Sequence, residues 1–236
     1  MKVSSTVLRR LHSLTGVLPV GLFLMEHLYS NAATARGPEH FNAVIRFFSS
    51  IPFLIVLELG LVGALLYHGL VGIWISFTGR SNVALYRYPR NWMYSLQRVS
   101  GLITFPFVLY HLWQFRLGRV IFGFELDYEV VRQTIVNPWV SFIYVLGVMA
   151  AAFHFGNGLW SFSIVWGIAT GPKAQSAAGW VGNSIGAILY LLGMISLYGL
   201  DVPLLTIVIS SAISVAGGVL LAYLPGLRAR LALGAP

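Results

Sequence analysis

His27, His68, His111 and His154 stand one in each of four successive apolar stretches, 41, 43 and 43 residues apart. An imidazole at membrane depth is costly unless it has a partner or a ligand. Neutral imidazole is also a strong axial ligand for haem iron. One such residue fits a hydrogen-bonded packing role, but four at near-regular spacing read as the ligand set of two bis-histidine haems. Zinc or copper suits the pattern less well, because no carboxylate or cysteine completes either pair.

The elements that must position these histidines are membrane helices. Of 236 residues, 57% are hydrophobic and only 9% charged, with a mean hydropathy of +0.79; a soluble domain carries about 25% charged residues. The expected fold is therefore an all-α integral membrane bundle. Six stretches approach or exceed the roughly 20 residues that span a bilayer: 11–30, 53–78, 96–116, 138–168, 180–200 and 203–224. The last two are separated by little more than Asp201 and Pro203, which suits two helices with a tight turn or a re-entrant pair. Residues 11–30 read as a retained first helix rather than a cleaved signal. Pro19 and Pro106 should kink the first and third spans. The chain has no cysteine, which rules out thiolate-held iron–sulfur clusters, covalent haem attachment and disulfides within it.

The net charge of +8 follows membrane topology rather than nucleic-acid binding. With the N-terminus inside, Lys2, Arg9, Arg10, Arg80, Arg87, Arg90, Arg98, Lys173, Arg228 and Arg230 are internal. Arg36, Arg46, Arg116, Arg119 and Arg132 are external, a ratio of ten to five that favours a cytoplasmic N-terminus.

Depth then pairs the histidines. His27 and His111 lie near the outer ends of the first and third spans, ~5–8 Å below the outer edge, while His68 and His154 lie ~23 Å below it. His27 should meet His111 as an outer pair, and His68 should meet His154 as an inner one. Gly63, Gly69 and Gly72 surround His68, and Gly147, Gly156 and Gly158 surround His154; small residues permit close helix approach and admit a flat macrocycle. His12 and Ser13, near Arg9 and Arg10, and Arg98 at the inner end of the third span are the expected donors to anionic haem propionates. Glu58 and Glu26 are candidate buried carboxylates for moving protons to and from a quinone. Trp74, Trp92, Tyr94, Trp139 and Trp160, near span ends, read as interface anchors.

The stretches RRLHSLTGVLPVGLFLMEH (9–27), YHGLVGIWISFTG (67–79), NWMYSLQRVSGLITF (91–105) and FHFGNGLWSFSIVWGIATGP (153–172) carry a family resemblance. The chain resembles the dihaem cytochrome b (b558-type) anchor subunits of succinate:menaquinone oxidoreductases, in the succinate dehydrogenase and fumarate reductase family. The likeness extends over residues 1 to about 200. It implies a five-helix core holding two b haems on the four histidines, multi-pass in a prokaryotic plasma membrane. It also implies a flavoprotein subunit with FAD and an iron–sulfur subunit on the inner face, and menaquinone as the electron acceptor. The chain itself would bind no dicarboxylate and would not act on succinate alone. Residues 201–236 extend beyond the family pattern as a sixth hydrophobic segment with a short basic tail, so the expected division is 1–200 and 201–236. The histidines alone would equally serve an anchor of a hydrogenase or formate dehydrogenase. A haem-free transporter would place the same residues along a proton path.

Overall fold

The structure, a computed structural model, describes residues 5–232, and every regular element among them is helical. Lys2 lies outside the described residues, as do the side chains of Arg228 and Arg230.

The first span is one helix broken in two, α1 (Ser5–Val17) and α2 (Pro19–Asn31). Pro19 brings no amide hydrogen, yet Leu18 N–H still reaches Leu14 O at 2.9 Å and Leu22 N–H reaches Leu18 O at 3.2 Å. The break is therefore a kink within one crossing. A 3₁₀ turn, Ala32–Arg36, leads into the amphipathic α3 (Pro38–Ser49). The second span is α4 (Leu54–Thr78), whose Ile55, Val56, Leu57, Leu59 and Leu70 are exposed, as an apolar face toward lipid requires.

The third, α5 (Pro89–His111), begins seven residues before the apolar pattern suggests. Its first turns carry Arg90, Asn91, Gln97 and Arg98, which hide a helix that Pro89 opens at its first position. A π-helical turn, Leu112–Leu117, follows directly and leads into α6 (Gly118–Phe122). The short α7 (Tyr128–Ile135) is capped by Asp127, which accepts from Val130 N–H at 2.8 Å. The remaining long helices are α8 (Pro138–Val165), α9 (Pro172–Gly199) and α10 (Leu204–Ala232). The turn between α9 and α10 joins two full-length helices, so the re-entrant alternative does not hold. Among the described residues five helices, starting at Thr6, Leu54, Pro138, Pro172 and Leu204, are long and apolar enough to cross a membrane. At 23 residues α5 matches them in length, but its polar first half keeps it out of that set.

The centre of the bundle is α8, buried along Tyr144, Val145, Val148, Ala151, Ala152 and Phe155. Its closest neighbour is α9. A Cβ on Gly156 would come within 2.5 Å of Gly182 O and 3.1 Å of the Gly186 Cα, so only glycine permits this backbone crossing. The last helix, α10, lies along the flank: Ser81 Oγ donates to Ala222 O at 3.2 Å, Trp92 stacks on Tyr223 at 6.2 Å between ring centroids, and the Tyr190 and Ser211 hydroxyls are 2.7 Å apart.

One end of the bundle is capped by the connections. Tyr128 Oη donates to Gly199 O at 2.6 Å, Thr34 Oγ1 donates to Ser196 O at 2.9 Å, and Arg132 Nε meets Asp201 Oδ2 at 2.5 Å. The opposite end gathers cations against aromatics. Arg9 lies over Trp74 at 5.3 Å, Arg10 over Trp166 at 5.7 Å and Arg90 over Trp160 at 6.0 Å.

Candidate functional site

Two pairs of imidazoles face each other inside the bundle. His27 on α2 and His111 at the last residue of α5 have ring centroids 5.6 Å apart, inclined at 74°. His68 on α4 and His154 on α8 are 6.1 Å apart, inclined at 84°. All four histidines are half-buried. Two imidazoles bound end-on to one ion through metal–nitrogen bonds of about 2 Å hold their centroids roughly 6 Å apart. Both pairs have that spacing. Among the described residues no cluster of three or more His, Cys, Asp or Glu side chains is arranged to hold a metal ion, so a tetrahedral site of protein ligands alone is not built.

Backbone carbonyls assign the free ring nitrogen in two of the four. His68 Nδ1 lies 2.8 Å from His12 O, and His154 Nδ1 lies 3.0 Å from Gln97 O. A carbonyl can only accept, so each Nδ1 carries the hydrogen and each Nε2 presents its lone pair. His111 Nδ1 meets the Tyr144 hydroxyl at 3.1 Å. Backbone or hydroxyl partners of this kind orient metal-bound histidines. His27 differs: its ring takes only the Asn31 amide, at 3.3 Å to Nδ1.

Close packing against glycines holds the inner pair. A Cβ on Gly16 would run into the His68 ring, and one on Gly101 would meet His154 Cε1 at 2.8 Å. Of the glycines flanking the histidines in sequence, Gly69 and Gly147 instead admit the rings of Phe105 and Phe107, Gly156 makes the α8–α9 crossing, and Gly63 has nothing near it.

On the other side of the His68 ring, His12 stacks with centroids 4.1 Å apart. Its Nδ1 is buried without a partner, as is the Nε of Arg98. Arg98 lies over the Tyr94 ring at 3.4 Å and donates to Tyr94 O at 3.1 Å. These two unpartnered nitrogens fit an anionic group, the guanidinium as a fixed donor and the imidazole where its Nδ1 carries the hydrogen. Ser13 is already engaged: it accepts from Trp166 Nε1 at 3.0 Å and donates to Arg10 O at 2.9 Å.

The two carboxylates are less enclosed than the apolar pattern around them suggests. Glu58 forms an ion pair with Arg116 of the π turn at 2.5 Å, with 29% of its side chain exposed. Glu26 is half-buried. Both sit near the ends of their helices, where the bundle perimeter leaves polar groups accessible. The aromatics named as anchors divide: Trp139 is 79% exposed, whereas Trp92 packs on Tyr223 and Trp160 donates to Gln175 O at 2.9 Å.

Several residues around the histidines are not evident from spacing. Asn157 donates to Gln97 Oε1 at 2.6 Å and to Met93 O at 3.1 Å, while Gln97 donates to His154 O at 3.0 Å and Ser100 Oγ lies 3.3 Å from His154 Nδ1. The signal available in the sequence is polarity itself, since Gln97, Ser100 and Asn157 interrupt apolar runs.

A helical bundle with long apolar helices and two facing histidine pairs defines the class: an integral membrane protein. The family model for the succinate dehydrogenase/fumarate reductase transmembrane subunit matches residues 80–192. Over 191 residues the chain is 40% identical to the succinate dehydrogenase cytochrome b558 subunit of Bacillus subtilis (strain 168), a match that covers 80% of this chain and 94% of the relative. The chain belongs to the succinate dehydrogenase/fumarate reductase transmembrane-subunit family.

Proposed function

We propose that this chain is the membrane anchor and electron-transfer subunit of a succinate dehydrogenase. It would hold one b haem between His27 and His111 and a second between His68 and His154. Haem b, when bound, supplies reversible one-electron transfer at each pair. The relative's printed name, a cytochrome b558 subunit, supports haem of this type. The observation that carries the reading is the pair geometry: two facing imidazole pairs, 5.6 and 6.1 Å between centroids, formed by different helices of one bundle.

The chain's own residues do the positioning. His12 O and Gln97 O take the Nδ1 hydrogens of His68 and His154, leaving Nε2 of each for the iron. His12 Nδ1 and Arg98 Nε are the donors at hand for the inner propionates. The cationic end formed by Arg9, Arg10 and Arg90 is the inner, cytoplasmic end, by the excess of Lys and Arg there. On this reading it faces the iron–sulfur subunit, with the flavoprotein and its FAD beyond. Menaquinone is the electron acceptor within the membrane. Glu58 and Glu26, near the outer pair, are the carboxylates available to exchange protons with it. The location is a bacterial plasma membrane, and the chain binds no dicarboxylate itself.

The test is a dithionite-reduced minus oxidised spectrum of the purified complex, with haem quantified per chain and the copurifying subunits identified. Two low-spin b haems with a flavoprotein partner support the reading. One haem breaks one of the two pairs. No haem overturns it, and a metal–pterin or nickel subunit in place of the flavoprotein assigns the anchor to another dehydrogenase.

A further inference from the structure

The outer pair has a support that the inner pair lacks. His111 ends α5, and the chain passes at once into the π turn Leu112–Leu117. A π turn holds one residue more than an α turn, which swings the following side chains by roughly 100°. Gln114, inside that turn, accepts from the Tyr144 hydroxyl through Oε1 at 2.7 Å and donates through Nε2 to the Tyr110 hydroxyl at 2.8 Å. Tyr144, only 6% exposed on the central helix α8, thus gives its hydroxyl hydrogen to Gln114. Its oxygen is left to accept, and what faces it at 3.1 Å is His111 Nδ1. The imidazole and phenol rings lie edge to face, 5.8 Å between centroids, so the contact is packed as well as hydrogen-bonded.

We infer that Tyr144 is a positioning residue for His111. It takes the Nδ1 hydrogen and so fixes the tautomer that leaves Nε2 free for iron, while Gln114 on the π turn keeps the phenol oriented as an acceptor. The inner histidines reach the same state through backbone carbonyls, which no side-chain substitution removes. At the outer pair the acceptor is a side chain, and that makes it separable by mutation. A hydrogen bond from Nδ1 makes an imidazole a stronger donor to its metal, and a more electron-rich ligand stabilises the oxidised iron. The inference rests on the reading that His111 ligates a haem.

The test uses the purified complex carrying Tyr144→Phe, which keeps the ring and removes the oxygen. Haem per chain, the low-spin electron paramagnetic resonance signals and the redox titration of each haem are compared with the unmodified complex. The expected result is that both haems are retained while one low-spin signal moves and the midpoint potential of that haem alone shifts upward. Gln114→Leu frees the phenol hydrogen without touching the imidazole contact; it should move the same signal by a smaller amount. If Tyr144→Phe fails to assemble, Gln114→Leu alone decides, and an unchanged outer signal there overturns the inference. Two unshifted signals in an assembled Tyr144→Phe complex also overturn it, as does a shift confined to the haem that His154→Ala removes. Absence of haem from the unmodified complex would instead sink the functional reading.

Discussion

Gly101 lies directly against His154: a Cβ at position 101 would stand 2.8 Å from the ring's Cε1. The ring has little freedom to retreat, because its Nδ1 is bound to Gln97 O on the same helix, α5. Gly101→Ala should therefore displace an inner ligand without changing any ligand's identity. Changes next to a metal ligand typically cost about 10–100-fold in affinity, so the inner haem should be depleted from the purified complex and the outer one kept. Gly16→Ala, which meets His68 from the other side, should deplete the same haem. The difference spectrum with haem per chain reads both.

Single histidine substitutions test the pairing itself. His27→Ala and His111→Ala should each remove one haem, the same one, and the double variant should lose no more than either. His68→Ala and His154→Ala should remove the other. Spectra showing that His27→Ala and His154→Ala abolish the same haem would sink the assigned pairs.

The crossing of α8 and α9 offers a stability test on glycine–glycine packing. Gly156 has Gly182 O and the Gly186 Cα within 3.1 Å of its would-be Cβ, all backbone that cannot swing aside. Gly156→Leu should destabilise the bundle by about 1–3 kcal/mol or more, as overpacking does. Gly60 has nothing within 4 Å, and Gly60→Ala should be neutral or stabilising by about 0.5–1 kcal/mol, since it sits within α4. Thermal unfolding of the detergent-solubilised complex separates the two.

The cap of α3 and α7 should respond to alkaline pH through Tyr128, which lies outside the membrane spans. Burial, followed by the nearby Asp201 carboxylate, raises its hydroxyl above the ordinary value of 10.0. The folded state thus holds this proton more tightly than the unfolded one. The stabilisation is complete below pH 10 and is lost as pH rises through the folded value. Tyr128→Phe should abolish that alkaline loss. At neutral pH it should cost about 0.5–1.5 kcal/mol for the hydrogen bond to Gly199 O. Hydrogen exchange of residues 128–135 between pH 8 and 11 would read both effects.

How the histidines meet was legible in the sequence because a helix converts residue number into depth at a constant rise. His27 and His111 lie near one end of their spans and His68 and His154 deep within theirs, so depth alone brings each pair together once the helices run antiparallel. The start of α5 was not legible, because Arg90, Gln97 and Arg98 erase the apolar pattern; Arg90 and Gln97 find their partners far along the chain, in Gln175 and Asn157, while Arg98 turns back on Tyr94 one helical turn away. The helices in the connections were likewise hidden, since α3 and α7 are held by Phe41 against Tyr128 and by Asn42 on the Tyr128 amide.

The sequence by itself determined the class of protein, the membrane setting and which of the four histidines face each other. These follow from hydrophobicity and helical rise, which are properties of one segment at a time. Only the tertiary structure decided which groups hold the rings. That Gly16 and Gly101 face imidazoles, that His12 and Gln97 offer carbonyls, and that a π turn brings Gln114 to Tyr144 depend on the rotation of each helix about its axis. Helix rotation is set by lateral packing between segments far apart in the chain, as at Gly156, Gly182 and Gly186, and apolar periodicity weakens as a guide to it where lipid and protein interior are equally apolar.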